Sequence, residues 1–591
     1  MEYDMLCKLF LVISTIVSAS AKGYRKPYII YMDESALPAS FSRHHDWYTS
    51  LLSSLSSSPD DIDPTHLYTY NHALNGFSAV LSQSQLEKLE QVPGHVASYP
   101  DTFGNAHTTY TPKFLGLNRQ KGLWPRAKFG DGVIVGLKHH GLNISTTDDY
   151  DSPRDFFGHG THTSSTAAGS PVMDASYFGY AKGSATGIAP AARLAMYKVI
   201  FQTDDNDLAA TDTLAGMDQA IADGVDILSL SLGFGETSFD QNPIAVGAFA
   251  AMERGIFVAC SAGNDGPQGY TMLNGAPWLT TVGAGTISRD FAANIVLGNG
   301  TLTENCNSYS LDPKDVAGKI VFCDFVSEDY EVNTHEITRA GAAGAIFSSG
   351  VGAFLEPEDF NIPFVAVVPE DGDRIKDYLL KSENPTVSIK FLITIFGTKP
   401  GPQVASFSSR GPDPIVRVGQ SSLLSNYALL SGTSMSAPHV AGVAALLKSA
   451  HPDWSPAAIR SAMMTTAYIL DNTNETIIDM TTRASGTPLD FGAGHIDPEK
   501  ASDPGLIYDI EPEDYLPGHS DNSSSMKATA EPSELWFTSK YDRAEFNLTV
   551  EISLEGSIPR SNYIGNSGYI TWKEINGTHV VRSPIVSAYA P

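Results

Sequence analysis

The residues best suited to chemistry lie in Ser431-Gly432-Thr433-Ser434-Met435-Ser436-Ala437-Pro438-His439. Ser434 stands where small residues give way to Val440, Ala441, Val443, Ala444 and Leu446, a helix-like apolar run. At a helix N-terminus the unpaired backbone N–H groups and the positive end of the dipole favour a developing oxyanion. Small neighbours let a substrate backbone come close. A second segment, Gly158-His159-Gly160-Thr161-His162-Thr163, sets an imidazole between glycines that clear space for a substrate. Histidine can accept and return a proton near neutral pH. Third, Ala262-Gly263-Asn264-Asp265-Gly266-Pro267 follows a strand pattern and holds an amide in a tight turn. Asn is an ordinary turn residue there, and also a side-chain N–H donor.

The Ser431–His439 segment resembles the nucleophile segment of the subtilisin-like serine proteases. That resemblance implies endopeptidic hydrolysis with Ser434 as nucleophile, His159 as general base, His162 as a structural residue and Asn264 as oxyanion donor. It also implies that Ser231-Leu232-Gly233 is the edge against which a substrate pairs as an added strand. The order His159, Asn264, Ser434 agrees with a subtilisin arrangement, in which the acid comes first. The family reads there as a strand followed by Asp-Thr-Gly. This chain has Val135-Gly136-Leu137-Lys138-His139-His140-Gly141, so His139 holds the acid position.

Other departures accompany it. The interval from that strand to His159 is short, the usual Lys-Pro-Asp-Ile strand before Ser431 is replaced by Val416 to Leu430, and the tail is truncated. Asp148, Asp149, Asp151 and Asp155 precede His159 and read as solvated loop charges. The expectation is a serine endopeptidase impaired by loss of its acid. The competing expectations are an inert pseudoprotease that binds peptides or partners, and an active protease whose sequence is incomplete.

The elements that must position these residues follow from the pattern. Val133 to Leu137, Val225 to Leu232 and Ile256 to Ala262 read as buried strands, with Thr213 to Ala222 and Ile244 to Met252 as helices ending at Gly224 and Gly255. Such alternation predicts an α/β fold with a parallel sheet covered on both faces and a site at the carboxyl ends of its strands. Upstream, Tyr28 to Met32 and Gly76 to Leu81 read as strands and His44 to Leu55 as a helix. Ser82 and Gln85 are spaced as a capping box. This α+β module resembles the inhibitor propeptide of plant subtilases, and Thr108 to Leu117 resembles the start of their mature enzyme.

Short strands with one clear helix between 296 and 394 resemble an inserted protease-associated domain. Runs at Leu535 to Phe537, Phe546 to Ile552 and Gly568 to Trp572 suggest a small β-sandwich resembling the fibronectin-like end of those enzymes. The expected division is a signal peptide at 1–21, propeptide at 26–107, peptidase at 108–295 and 395–497, insert at 296–394 and tail at 498–591.

Composition narrows the class further. At 591 residues the chain exceeds a single core. A net charge of −28 argues against nucleic acid or an anionic membrane as partner. The apolar start from Leu6, ending in Ala19-Ser20-Ala21, reads as a secretory signal, and no later run reaches the ~20 apolar residues of a span. Secretion to the extracellular space, and to the cell wall by resemblance, is therefore expected. Sequons at Asn143, Asn299, Asn474, Asn522, Asn547 and Asn576 fit a secreted glycoprotein. Removing the signal removes Cys7. Cys306 and Cys323 flank a short strand and could pair, whereas Cys260 reads as a buried thiol. No metal-ligand spacing occurs, so no cofactor is expected. The expected partners are peptide or protein substrates and the chain's own propeptide.

Overall fold

Ile227–Leu230 and Phe257–Ser261 are buried at every position, which requires a sheet covered on both faces. The computed structural model describes residues 25–588 except the segments 56–62, 71–75, 101–108, 141–154, 201–208, 235–238, 298–301, 304–309, 324–329, 349–362, 412–429, 512–524 and 554–564, with a few single residues and pairs. The signal segment, Cys7, the junction His107-Thr108, Asp148, Asp149, Asp151, Cys306 and the sequons Asn143, Asn299 and Asn522 lie outside the described residues. So does nearly all of Val416 to Leu430.

The chain divides into two units, 1–104 and 105–591. The first holds β1 (Arg25–Met32), α1 (His44–Ser54), β2 (Thr65–Tyr70), β3 (Gly76–Ser82), α2 (Gln83–Leu89) and β4 (His95–Pro100), with an antiparallel sheet in the order β2-β3-β1-β4. Its core joins Ile30, Tyr48, Phe77, Leu81 and Leu89. The capping box forms as spaced. Ser82 Oγ accepts from Gln85 N–H at 3.3 Å and Gln85 Oε1 accepts from Ser82 N–H at 2.9 Å.

In the second unit β5 (Ile134–His140), α3 (His159–Ala168), the hairpin β6 (Val172–Tyr177) and β7 (Tyr180–Ala185), and β8 (Arg193–Ile200) come first. They are followed by α4 (Ala209–Ala222), β9 (Ile227–Leu230), α5 (Pro243–Glu253), β10 (Phe257–Ser261) and β11 (Thr280–Val282). The sheet runs β11-β10-β9-β5-β8, parallel throughout. Alternate residues go to opposite cores, as a period of two demands. Ile227, Phe257 and Ala259 pack toward α3, α8 (Thr433–Ala450) and α9 (Pro456–Thr466). Leu228, Leu230, Val258 and Cys260 pack toward α4 and α5. Cys260 is buried and takes no part in a disulfide, as expected. Strand β8 was not expected from the sequence.

The insert hangs from an antiparallel ribbon of β12 (Arg289–Leu297) and β17 (Val387–Phe396). Between them β13 (Leu302–Thr303), β14 (Ile320–Cys323), β15 (Gly344–Ser348) and β16 (Phe364–Val367) form a parallel sheet. Parallel strands need crossovers, and this insert carries two longer helices, α6 (Tyr330–Arg339) and α7 (Pro369–Lys381), where one was expected. Cys323 is disulfide-bonded, to a partner outside the described residues.

The tail pairs β18 (Ser525–Glu531) with β19 (Asn547–Ser553) and β20 (Gly565–Lys573) with β21 (Val580–Ala588). The expected strand at Leu535 to Phe537 is corrected: that segment lies between strands, and Trp536 is 76% exposed. Arg582 on β21 ties the tail to the sheet unit, donating to the carbonyls of Ala467 and Ala493 at 2.8 Å each.

One close approach sets the relation of α3 to α8. A Cβ on Gly442 would lie 2.6 Å from Ile188 Cβ and 2.9 Å from the carbonyl oxygen of Ala167. Those neighbours are a β-branched core residue and helix backbone, so neither yields cheaply. Gly442→Ala is expected to destabilise the sheet unit by about 1–3 kcal/mol through overpacking, read as a lower urea midpoint. A midpoint equal to that of the wild type would contradict this packing.

Candidate active site

Ser434 sits in the first turn of α8, and its surroundings come from the carboxyl ends of β9 and β10. Two contacts join it to the end of β9. Ser231 Oγ donates to the Ser434 carbonyl at 2.7 Å, and Ser434 Oγ makes a long contact of 3.4 Å to the Ser231 carbonyl. On the other side, Asn264 Oδ1 accepts from Thr433 N–H at 2.8 Å and from Thr433 Oγ1 at 3.0 Å. Thr433 Oγ1 in turn accepts from Gly263 N–H at 3.1 Å. Because the amide oxygen faces two donors, its orientation is assigned, and Nδ2 is the end left for other partners. Nδ2 lies 3.3 Å from where a Cβ on Gly432 would stand. Asn264 itself is not left-handed; Gly263, with φ of 97°, takes the turn.

Residues 404–411 hold that loop in place. Ser409 N–H donates to the Gly263 carbonyl at 3.0 Å, Ser409 Oγ accepts from Asp265 N–H at 3.1 Å, and Gly266 N–H donates to the Phe407 carbonyl at 2.8 Å. A side chain at Gly266 would strike the Ser408 carbonyl. Arg410 fixes the bracing segment from within. It is 2% exposed, and it donates to the carbonyls of Ser408 and Ala405 and to Asp479 Oδ2, the last at 2.6 Å. Asp490 Oδ1 lies 3.4 Å from its Nε. Burial alone would raise the Asp479 pKa. Hydrogen bonds from Arg410, Thr482 and Thr481 outweigh it and hold the carboxyl below its usual value.

His159 is the first residue of α3, preceded by Gly158 in the left-handed region with φ of 92°. It is half-buried, and His162 one turn later is buried. Since α3 follows β5 and α8 packs against it, the first turns of both helices stand at the carboxyl edge of the sheet. His139 ends on the same edge, in β5, with Lys198 as its partner across the ladder to β8. Asp155 is not the solvated charge expected of it. Its oxygens accept from Gly158 N–H at 2.9 Å and Thr161 N–H at 2.6 Å, satisfying donors at the start of α3. Sequence reading assigned no role to Thr433, Arg410 or the Ser231 hydroxyl, although Thr433 lies in the nucleophile segment and Ser231 in the Ser231-Leu232-Gly233 edge.

These placements define a parallel-sheet α/β protein with a serine-centred site, and comparison with known proteins makes the class specific. A subtilase family model matches residues 60–495, and a fibronectin type-III domain model matches residues 512–587. The chain is 38% identical over 624 residues to subtilisin-like protease SBT1.7 of Arabidopsis thaliana, covering 87% of this chain and 81% of that protein. It is 37% identical over 614 residues to SBT1.6 of the same plant, covering 85% and 79%. To SBT3 of Solanum lycopersicum it is 33% identical over 746 residues, covering 96% and 97%. The chain belongs to the subtilase family of serine-type peptidases, with the subtilisin-like α/β fold and a C-terminal fibronectin type-III domain. The tomato alignment is longer than this chain's 591 residues, so that relative carries segments with no counterpart here.

Two imidazoles behind the site are held neutral. Burial pushes His439 down to about 4 despite its hydrogen bond at 2.7 Å to the Met435 carbonyl. Burial likewise pushes His495 down to about 4, with the nearby His439 lowering it further. An unfolded chain protonates both near pH 6.5. Between about pH 6.5 and 4 the unfolded state thus binds more protons than the fold, and stability must fall as pH falls. The urea midpoint is expected to drop from pH 7 to pH 5, and His439→Gln should flatten that slope in protein that still folds. An unchanged slope in the variant would contradict the burial of a neutral His439.

Proposed function

We propose that this chain is a secreted serine endopeptidase by descent whose hydrolytic step is impaired because its triad acid is missing. The observation that carries the proposal is the end of β5, Leu137-Lys138-His139-His140, which offers no carboxylate. Ser434 Oγ would attack the peptide carbonyl carbon and pass its proton to His159. Asn264 Nδ2 would take the oxyanion, and His159 would return the proton to the leaving amine. Water would then release the acyl group from Ser434 by the same exchange. An acid is needed to fix the tautomer of the base and to stabilise the imidazolium. In a subtilisin, removing it alone costs about 3 × 10⁴ in turnover. A second imidazole cannot supply the negative charge.

Substrates on this reading are peptides and proteins, and residues 26–107 act as an intramolecular inhibitor. Neither nucleic acid nor a membrane is proposed as a partner, and no cofactor is invoked. A second reading, an inert protein that binds peptides without cutting them, is favoured by the same lack of a carboxylate at the end of β5.

A fluorophosphonate should label the chain slowly, and Ser434→Ala should abolish the labelling. Equal labelling of both proteins would remove Ser434 as nucleophile. His139→Asp should raise peptide hydrolysis if the rest of the site is intact. No gain in folded protein would favour the inert reading.

A further inference from the structure

We infer that His579 is an acid-operated clasp: once protonated, its ring ties the tip of the β20–β21 hairpin to Asp503, so the fibronectin type-III tail is held more firmly in acid than near neutral pH. No catalytic step enters, so the clasp is independent of the peptidase reading.

The hairpin tip is built around a carboxylate. Residues 574–579 join β20 to β21, and Glu574 N–H donates to the His579 carbonyl at 3.1 Å to close the loop. The Glu574 side chain folds back over it. Its Oε2 accepts from Thr578 N–H at 3.1 Å and from His579 N–H at 3.2 Å, and lies 2.7 Å from His579 Nδ1. A side chain at Gly577 would collide with that carboxyl. One nitrogen of the imidazole is thus held within the hairpin. The other, Nε2, faces Asp503 Oδ2 at 3.6 Å.

The far side of this joint is fixed to the sheet unit. Asp503 follows the helical turn Pro498–Ala501, which packs on α9. Its N–H donates to the Lys500 carbonyl at 3.0 Å, and the neighbouring Ser502 carbonyl lies 3.0 Å from His451 Nε2. Gly505, at φ of 79°, then passes against the ring. A Cβ there would stand 2.6 Å from His579 Cβ and 2.7 Å from its Cγ, so the imidazole lies on bare backbone. Among the described residues, the charged groups acting on it are Glu574 on its own hairpin and Asp503 across the joint.

The number of donors on the ring decides how the joint responds to pH. A neutral imidazole has one N–H, and when Glu574 takes it at Nδ1 the lone pair of Nε2 faces the Asp503 carboxylate. Protonation supplies a second N–H and puts a positive charge between two negative ones. At 3.6 Å the contact to Asp503 is an ion pair and not a hydrogen bond, so charge is what acts across it. The bond to Glu574, opposed by burial and aided by Asp503, holds the His579 pKa above its ordinary value. Glu574 is held below its own by the same bond. A group raised in the fold contributes stability below the unfolded value near 6.5, and that contribution is lost as pH rises through the folded value. Arg582, which ties β21 to the carbonyls of Ala467 and Ala493, stays charged throughout, so the change belongs to the tip.

The test is hydrogen exchange, read by mass spectrometry on the full secreted chain at pH 5 and pH 7.5 and corrected for the intrinsic pH dependence of exchange. His439 and His495 move global stability with the opposite sign, so the readout is local. Residues 502–508 report across the joint, through the bonded N–H groups of Asp503 and Tyr508. In the wild type this segment should be about two- to fivefold better protected at pH 5, the size of an exposed ion pair. His579→Gln and Asp503→Asn should each remove that difference. Asp503 is exposed, so the second variant serves where the first fails to fold. Equal protection at both pH values in the wild type overturns the clasp. So does a difference at 502–508 that survives Asp503→Asn, because the pH response would then lie outside the joint.

Discussion

A buried guanidinium is the constraint on which the placement of the Asn264 loop depends. Arg410 and Asp479 are both nearly inaccessible, and desolvating two charges is costly unless every donor and acceptor is met. Much of the demand is met by turning the backbone, with Arg410 Nε left to a 3.4 Å ion-pair contact with Asp490. The carbonyls of Ala405 and Ser408 point at Arg410, and the N–H groups of Thr481 and Thr482 point at Asp479 Oδ1 at 2.7 Å each. Those requirements fix residues 405–410 in one shape, with Ser409 facing the Asn264 loop. Breaking such a pair by removing one partner typically costs about 3–5 kcal/mol, more than the net value of most single contacts. The amide of Asn264 is thus aimed by an ion pair that never touches it.

The nucleophile side is assembled differently, from small residues and backbone. Gly442, Ala441 and Ala437 let α8 lie close to the sheet and to α3, and all three are buried. The Ser231 hydroxyl then fixes the first turn of α8 through the Ser434 carbonyl. The hydrogen bonds that hold Asn264 and the first turn of α8 come from Ser231, Gly263 and Thr433. On the proposed reading, Asn264 would still face the oxyanion while His159 would lack an orienting charge. That separation is why an impaired peptidase and a peptide-binding protein are neighbouring readings of one structure.

How much of this was legible in the sequence depended on where each residue draws its partners. Strands β9 and β10 lie inside the sheet, are buried on both faces and are mostly apolar, so they announced themselves. Strands β2 and β8 went unseen because both stand at sheet edges. Each mixes polar residues into its run, His66 in one and Arg193 and Lys198 in the other. Leu535 to Phe537 looked like a strand by aromatic content, which measures fit to a half-buried surface that this segment does not have. His159, Asn264 and Ser434 were legible because glycines and small residues surround them. Arg410 was not, since its partner lies 69 residues later and no local pattern marks the pair.

If the chain cuts its own propeptide, as the proposed reading requires of an active site, N-terminal processing reports most directly on that site. The measurement is N-terminal sequencing of the protein secreted by a host that supplies no other subtilase. The account predicts a precursor beginning near Lys22, with residues 26–107 retained. An N-terminus at Thr108 would contradict it, and would mean that a carboxylate elsewhere in the fold serves His159.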